Sequence, residues 1–352
     1  MSVNVAVIGC GNISQYHFSG LEKAGAKVKW VCDLNPEAAG AWAAKTGAKP
    51  TADYREAVAD PEVDAVFVTL LSRLHRQICL AAIDAGKAVV CEKTLAENAA
   101  DAWEIVGRAR QRKTLLFTSY MKRFIPAVEK AKELMPSLGR VVSTHIRAYQ
   151  NWGDQWGAPP TEGFFHTPPG GMSMVRRNYG GGILVCGGSH ILDLTLHLLS
   201  RPRRLYASMV EPEGRDYDIQ AAALLETDNG VVHYEALAHP LRKIGFLRDG
   251  WDERVEINGL EGRLDIFSSN WTDFNAKPSL LVHYDNATGQ AVEHRFDAVS
   301  PFDRAVAHFC AQIEKGEQGP QSSLTGYETD ELIEHVKLSA ASHQAVEIAW
   351  RG

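Results

Sequence analysis

Short apolar runs alternate with helix-like stretches over the first 120 residues, and this alternation constrains the fold more than any other feature. The run at 65–71 is apolar without a break, as expected for a strand that is buried on both faces. Strands that alternate with helices of about 10–15 residues predict a parallel, doubly wound α/β sheet. The predicted strands are 3–8, 28–32, 65–71, 88–91 and 115–118.

A different pattern begins after residue 122. Strand-like runs separated by turn residues are predicted at 141–149, 205–211, 219–227, 230–238, 254–258, 262–267 and 280–284. The predicted helices are 126–134, 181–199, 302–315 and 327–349. We therefore predict two domains, with a parallel α/β domain at 1–122 and an α+β domain with an open, mostly antiparallel sheet at 123–352.

Composition excludes several classes of function. The 37 basic and 43 acidic residues give a net charge of -6, which is not the charge of a nucleic-acid binder. The N-terminus has no basic region or cleavage site, and no apolar run approaches the roughly 18 residues of a membrane helix. We therefore expect a protein that binds neither nucleic acid nor membrane. The six cysteines include no C-x-x-C pair, so we expect reduced thiols and a cytoplasmic location.

The first predicted strand runs into Gly9-Cys10-Gly11-Asn12-Ile13-Ser14, a G-x-G-x-x-G motif with serine at the third glycine. Gly9 permits the tight turn, and Gly11 lets the backbone approach a pyrophosphate at the N-terminus of the following helix. Because the motif lies between a strand and a helix, it predicts a dinucleotide site of the Rossmann type.

Asp33 ends the second predicted strand, 22 residues after Gly11. A carboxylate there accepts a hydrogen bond from the ribose 2′-OH and repels a 2′-phosphate. Leu34, Asn35 and Pro36 follow, with no basic residue to bind that phosphate, so the sequence favours NAD over NADP. The alternative is that Asp33 only caps the helix that begins at Pro36 or is a turn acid.

Four segments together resemble one known family. Residues 85–96 are similar to a G-K-H-V-x-C-E-K-P-L-A motif, and residues 119–124 resemble a segment that joins two domains. Residues 180–193 are similar to a G-G-G-x-L-x-D-x-G-x-H-x-x-D helix. With residues 9–14, they resemble the glucose–fructose oxidoreductase, inositol dehydrogenase and rhizopine-catabolism (Gfo/Idh/MocA) family over the whole chain.

The resemblance implies a Rossmann domain, a second α/β domain and NAD(P)-dependent redox chemistry on sugars or cyclitols. It also implies a dimer or tetramer, for which the exposed face of the second sheet is suitable. The predicted cofactor residues are Gly9, Gly11, Asn12, Ile13, Asp33, Leu70, His75, Glu92 and Lys93. The predicted substrate residues are Lys93, Lys122, Arg123, Trp152, Trp156, Cys186, Ser189, His190 and Asp193.

Lys93 and His190 are the predicted catalytic residues. Oxidation of an alcohol by hydride transfer requires a base near the hydroxyl, and a nearby cation stabilises alkoxide character. Lys93 is predicted at the carboxyl edge of the parallel sheet, where such folds bind ligands; the alternative is a surface lysine paired with Glu92. His190 shares a predicted helix face with Asp193 and His197. The alternatives to a catalytic His190 are a histidine buried in the core and a metal ligand, and we predict no metal.

The chain departs from the family pattern at three places. Residues 70–75 correspond to a T-P-N-x-x-H segment and lack its proline. Thr94 replaces a proline, and Cys186 replaces the aspartate that lies four residues before the helix histidine. Cysteine supplies no carboxylate, so we interpret Cys186 as a small residue that makes room at the site.

Aromatic and basic residues raise further expectations about the substrate. The loop 151–171 contains Trp152 and Trp156, which either stack on a sugar ring or pack the loop onto its own domain. Four basic residues, which are Lys122, Arg147, Arg176 and Arg177, suit an anionic substrate, although solvated or paired side chains are commoner.

The sequence thus predicts an NAD-dependent sugar or cyclitol dehydrogenase or reductase. One alternative is a glycoside hydrolase that oxidises its sugar transiently with bound NAD. Another is a non-catalytic sugar sensor, against which the presence of both Lys93 and His190 argues.

Overall fold

A computed structural model of the protein describes residues 2–268, 273 and 276–352 and divides the chain into two compact units. The first unit contains the residues up to Met121 together with Phe302–Asp330. The second unit contains Lys122–Pro301 and Glu331–Gly352.

Within the described residues, the first unit is built on a six-stranded parallel sheet with the order β3-β2-β1-β4-β5-β6. Its strands are β1 (Asn4–Ile8), β2 (Lys27–Cys32), β3 (Lys49–Thr51), β4 (Ala65–Val68), β5 (Ala88–Cys91) and β6 (Leu116–Thr118). The helices that follow these strands are α1 (Ser14–Lys23), α2 (Pro36–Thr46), α3 (Tyr54–Ala59), α4 (Ser72–Asp84) and α5 (Ala99–Arg112). The predicted parallel α/β sheet is confirmed, and β3 and α3 are additional elements that are too short to show a clear period.

The second unit contains a mixed sheet of nine strands among the described residues, in the order β14-β13-β12-β11-β7-β10-β9-β8-β15. The strands are β7 (Val141–Asn151), β8 (Arg204–Val210), β9 (Gln220–Thr227), β10 (Gly230–His239), β11 (Trp251–Gly259), β12 (Gly262–Ser268), β13 (Leu280–Asp285), β14 (Gln290–Arg295) and β15 (Val346–Glu347). β7 and β10 pair in parallel, and the other neighbours pair antiparallel, so the predicted mostly antiparallel sheet is confirmed.

The remaining helices are α6 (Pro126–Leu134), α7 (Met174–Tyr179), α8 (Ser189–Leu198), α9 (Pro301–Lys315) and α10 (Thr325–Ser342). A π-helical segment, Leu184–Gly188, leads directly into α8 and occupies part of the predicted helix 181–199. The predicted helix 327–349 ends at Ser342, because the chain then forms β15, which pairs with β8.

Residues 302–330 lie in the first unit, whereas the sequence prediction placed them in the second domain. Aromatic contacts explain the difference. Phe309 of α9 packs on Phe117 of β6 with ring centroids 5.2 Å apart, and Tyr327 of α10 packs on Trp103 of α5 at 5.0 Å. These contacts join residues that are distant in the chain, and periodicity within one segment carries no information about them.

The sheet of the second unit has one covered face and one open face. Along β7, Ile146, Ala148 and Gln150 are buried, while Arg147 and Tyr149 alternate with them on the more exposed side. This alternation follows from the period of two along a strand. It decides which side chains lie beside the helices of the second unit.

One helical run, Met174–Leu198, is long and apolar enough to cross a membrane by length and composition alone. Of its most apolar window, 83% is buried inside the protein, as in the core helix of a globular domain. The predicted helix 181–199 covers most of this run, but its length and apolar character differ from the expectation that no such run is present.

The contact of α1 with α9 gives a test of the packing of the first unit. A methyl group added at Gly20 would lie 2.6 Å from Cβ of Val306, whereas one added at Gly107 in α5 would meet nothing within 4 Å. We expect Gly20→Ala to lower the free energy of unfolding by about 1–3 kcal/mol through overpacking. Gly107→Ala is the matched control, and its higher helix propensity should raise stability by about 0.5–1 kcal/mol.

Chemical denaturation of the two variants and the wild type measures both changes. Equal stabilities for Gly20→Ala and Gly107→Ala would contradict the close packing of α1 on α9.

Candidate active site

The turn after β1 has the backbone geometry expected of a nucleotide-binding loop. Gly9 has a φ of +102°, and a Cβ atom there would lie 2.6 Å from the Thr69 carbonyl oxygen, so only glycine fits. Nothing lies within 4 Å of the position of a Cβ atom at Gly11, which leaves the backbone of the loop accessible. Ser14 begins α1, and its Oγ donates to the Gly11 carbonyl at 2.6 Å.

Asp33 is bound to this loop by hydrogen bonds. Its Oδ2 accepts from the Cys10 backbone N–H at 2.7 Å, and its Oδ1 accepts from the Asn35 N–H at 2.8 Å. The cap of α2 is Asn35, whose Oδ1 accepts from the N–H groups of Glu37 and Ala38. The alternative interpretation of Asp33 as the helix cap is therefore wrong, and its carboxylate lies against the glycine loop instead.

His75 connects the segments that follow β4 and β5. Its side chain is fully buried, with Nδ1 2.8 Å from the Thr94 carbonyl oxygen and Nε2 3.0 Å from the Leu70 carbonyl oxygen. Burial lowers the pKa of His75 although both carbonyls oppose this shift. A neutral imidazole carries one N–H, so His75 donates to one of these two carbonyls and only contacts the other. Its role at the cofactor stays a prediction.

Glu92 and Lys93 follow β5 at the carboxyl edge of the sheet. Glu92 is buried, and its Oε2 accepts from the Lys93 backbone N–H at 3.1 Å. The side chain of Lys93 is half-buried. Asp330 stabilises the same loop, because its Oδ2 accepts from the Ala96 N–H at 2.9 Å.

In the second unit, a buried carboxylate holds the start of the helix that carries His190. Asp218 accepts from the Gly182 N–H at 2.9 Å and from the Leu184 N–H at 2.7 Å. Burial raises the pKa of Asp218 although these hydrogen bonds oppose the shift. The sequence analysis missed this residue, since it lies 34 positions after Leu184.

The π-helical segment brings the backbone of this helix onto the sheet. Gly187 lies against the amide of Gln150 on β7, and Gly188 lies against the hydroxyl of Tyr234 on β10. A side chain at either glycine would occupy the space of these groups. Segments of this type are frequent at functional sites, and this one contains Cys186, which is half-buried.

Asp193 is engaged by Arg123 rather than exposed to a substrate. The Arg123 guanidinium donates from Nε to Oδ2 at 2.8 Å and from Nη2 to Oδ1 at 2.6 Å, and Asp193 is fully buried. Fork-shaped pairs of this kind fix orientation as well as charge. Asp193 thus orients Arg123 beside α8, and its place among the substrate residues stays a prediction.

His190 and Ser189 occupy the first turn of α8, and His190 is half-buried. Ser189 is buried, and its Oγ donates to the Cys186 carbonyl at 3.4 Å. Burial, with Arg123 and Lys132 nearby, lowers the pKa of His197 to about 3, so this residue is neutral at physiological pH.

Lys122 lies in a buried ion pair with Glu253 of β11, and its side chain is only 2% exposed. The second carboxylate oxygen of Glu253 accepts from Gln150 Nε2 at 3.1 Å. The predicted use of the Lys122 charge for a substrate is therefore corrected, because Glu253 already neutralises that charge.

The predicted cluster of positive charge is also divided by the sheet. Arg147 lies on the open face, where its Nη2 is 2.6 Å from Asp252 Oδ2, whereas Gln150 faces the helix that carries His190. Arg176 donates to the Asp216 carbonyl at 2.7 Å. Arg147 and Gln150 lie on opposite faces because they are three positions apart along one strand, and the place of Arg147 beside a substrate stays a prediction.

The aromatic loop packs on its own unit through Trp152, while Trp156 stays half-exposed. Trp152 packs on Phe165 with ring centroids 5.3 Å apart, and both belong to a cluster built around Val175 and Tyr217. Trp156 is 48% exposed and is held by its Nε1, which donates to the Ala238 carbonyl at 2.9 Å. Trp152 therefore anchors the loop, and Trp156 presents a surface on which a ligand can stack.

The glycine loop, the parallel sheet and the Glu92–Lys93 segment define a dinucleotide-binding oxidoreductase. Residues 3–120 match the oxidoreductase family with the NAD-binding Rossmann fold, and residues 128–265 match the GFO/IDH/MocA C-terminal domain. The protein belongs to the GFO/IDH/MocA family of oxidoreductases, as its motifs predict.

Similar proteins include dehydrogenases of sugars and cyclitols. The chain is 26% identical to D-xylose 1-dehydrogenase (NADP(+)) 2 of Haloferax volcanii, with 85% of both chains covered. It is 29% identical to inositol 2-dehydrogenase 2 of Saccharopolyspora erythraea, with 84% of this chain and 80% of that protein covered. The structure of levoglucosan dehydrogenase with NADH and levoglucosan has the same fold, with a TM-score of 0.81 at 20% identity over 99% of this chain and 100% of the other.

The Lys122–Glu253 pair makes the energetics of the second unit testable. Glu253→Gln removes the carboxylate and leaves a buried ammonium, which should lower the free energy of unfolding by about 3–5 kcal/mol. The double variant Lys122→Met/Glu253→Gln removes both charges and should recover most of that loss, as chemical denaturation measures. A single variant as stable as the wild type would show that this ion pair is not buried.

Proposed function

We propose that the protein is an NAD-dependent dehydrogenase or reductase that transfers a hydride at a hydroxyl or carbonyl carbon of a sugar, sugar derivative or cyclitol. The observation that carries the proposal is the glycine loop, with Asp33 bonded to it, at the same sheet edge as Glu92 and Lys93. In open α/β sheets, ligands bind at this edge. The substrates named for the xylose and inositol dehydrogenases support the class of substrate.

The residues of the first unit fit a dinucleotide. The N-terminus of α1, which Gly11, Asn12 and Ile13 precede, is suited to a pyrophosphate because the helix dipole favours an anion there. Asp33 is positioned by two backbone N–H groups, and its negative charge favours a ribose 2′-OH over a 2′-phosphate. The nicotinamide, when bound, supplies the acceptor or donor of the hydride.

In this proposal Lys93 and His190 handle the proton of the reacting hydroxyl. The two side chains are half-buried, and both are acid–base groups of the kind that such a reaction requires. Lys93 stabilises negative charge on the oxygen through its ammonium, and His190 exchanges the proton. Cys186 lies in the π-helical segment before α8 and leaves room for the substrate.

A second copy of the chain is the proposed partner, paired through the open face of the nine-stranded sheet. This face contains a groove of about 480 Å³ lined by residues of several strands, among them His145, Tyr206 and His233. Exposed Tyr206, Leu224 and Val231 add apolar surface to it. The six free cysteines support the proposal of a cytoplasmic location, where thiols remain reduced.

Absorbance at the NADH band tests the function. The purified protein is mixed with NAD and a panel of free, glycosidic, neutral and acidic sugars and cyclitols. Net NADH formation with a free sugar or cyclitol is the expected result. Release of an aglycone without net NADH would instead identify a glycoside hydrolase, and binding without either reaction would identify a sensor.

Three single variants test the proposed roles. Lys93→Ala and His190→Ala should each lose at least about 99% of kcat, because general acid–base catalysis contributes about 10²–10⁴-fold. Cys186→Ser keeps a small side chain and should retain a kcat within about threefold of the wild type. A comparable loss in all three variants would show that Cys186 does more than make room.

The charge of Asp33 predicts the choice of cofactor. Asp33→Asn keeps an acceptor for the Cys10 N–H but removes the charge that repels a 2′-phosphate. We expect the ratio of kcat/KM for NADP to that for NAD to rise at least about tenfold, an effect of roughly 1.4 kcal/mol. Glu37→Gln, at an exposed acid in the first turn of α2, is the control and should leave the ratio unchanged. An unchanged ratio in Asp33→Asn would rule out Asp33 as the discriminating residue.

A further inference from the structure

A buried histidine outside the predicted site is bonded to Glu92. His17 lies in the middle of α1 and is fully buried, and Glu92 is 5% exposed. Nε2 of His17 lies 2.7 Å from Oε1 of Glu92. Because a carboxylate only accepts, Nε2 carries the proton and donates it to this bond.

The other oxygen of the same carboxylate accepts from the backbone N–H of Lys93 at 3.1 Å. Glu92 therefore joins α1 to the main chain at Lys93. Burial alone raises the pKa of Glu92, but the hydrogen bond from His17 and the charge of Lys93 lower it below its ordinary value. The carboxylate is consequently ionised at neutral pH.

The surroundings of His17 hold its ring in one orientation. Phe67 of β4 and Phe302 meet the imidazole edge to face, with centroids 5.9 and 6.1 Å away. Tyr16 in turn stacks on Phe302, with ring centroids 4.8 Å apart. In a well-packed apolar setting, a hydrogen bond to a buried carboxylate is worth more than it is in water.

Other groups also act on Glu92. His75 interacts with it electrostatically from α4, Cys91 precedes it in β5, and Ser119 lies near it in the segment after β6. His75 is neutral, because burial lowers its pKa, and burial holds the Cys91 thiol protonated. Among these groups, His17 donates the bond that ties the carboxylate to a helix.

We propose that His17 is a positioning residue for Lys93 and acts through Glu92. This inference rests on the proposed function, in which Lys93 contacts the reacting oxygen. His17 holds Glu92 ionised and in place, and Glu92 in turn holds the backbone of Lys93. Neither His17 nor Glu92 contacts the substrate in this arrangement.

A matched pair of substitutions tests the inference. His17→Phe keeps an aromatic ring between Phe67 and Phe302 but removes the donor, whereas His17→Gln retains a donor at the position of Nε2. With a substrate from the NADH screen, His17→Phe should lose at least about tenfold in kcat, with KM for NAD and substrate within about threefold. His17→Gln should recover a kcat within about threefold of the wild type.

The pH profile provides a readout that a purely structural role would not change. Without its donor, Glu92 has a raised pKa and binds a proton up to a higher pH. The acidic limb of kcat should therefore move to higher pH in His17→Phe and stay in place in His17→Gln. If His17 acts only through the Glu92 carboxylate, its loss has no further effect once that carboxylate is gone. The kcat of His17→Phe/Glu92→Gln should therefore be no lower than that of Glu92→Gln alone.

Infrared titration follows Glu92 without any turnover. The band of the protonated acid, assigned by its absence in Glu92→Gln, should appear at higher pH in His17→Phe than in the wild type. An active wild type with an unchanged kcat, pH profile and infrared titration in His17→Phe would overturn the inference alone. A wild type without net NADH formation would overturn the proposed function, and the infrared shift would then still decide whether His17 controls Glu92.

Discussion

Parallel hydrogen bonding between β1, β4 and β5 is the constraint on which the first unit depends. Because these strands run in one direction, the residues that follow them emerge at one edge of the sheet. The Thr69 hydroxyl donates to the Gly9 carbonyl at 2.6 Å, and the Glu92 N–H donates to the Val68 carbonyl at 2.9 Å. The end of β4 thereby connects the glycine loop to the segment that contains Lys93.

Buried carboxylates have a common role in both units. Glu92 is bonded to His17, Asp193 to Arg123, and Glu253 to Lys122. Each pair gives a buried carboxylate a hydrogen-bond donor and fixes a backbone segment or helix, since a carboxylate without a donor would be an uncompensated buried charge. Several of the charged residues that the sequence assigned to ligands are thus used to build the site, and the half-buried Lys93 and His190 remain as its proposed chemical groups.

Local patterns predicted much of the fold and of the nucleotide loop. The strands of the parallel sheet followed from apolar runs, and Gly9 followed from a turn that requires a positive φ. Periodicity did not predict the π-helical segment, although the pair Gly187–Gly188 was its available signal. Asp218 and His17 were missed for another reason, because their partners lie far away in the sequence and no local pattern marks them.

The sequence by itself determined the class of fold, the position of the glycine loop and membership of the oxidoreductase family, because these depend on short motifs and on the period of each segment. Only the tertiary structure decided which charges are consumed within the protein. It paired Lys122 with Glu253, placed Arg147 on the open face and joined residues 302–330 to the first unit. The physical reason is that strand register and long-range packing, rather than residue type, determine the neighbours of a side chain.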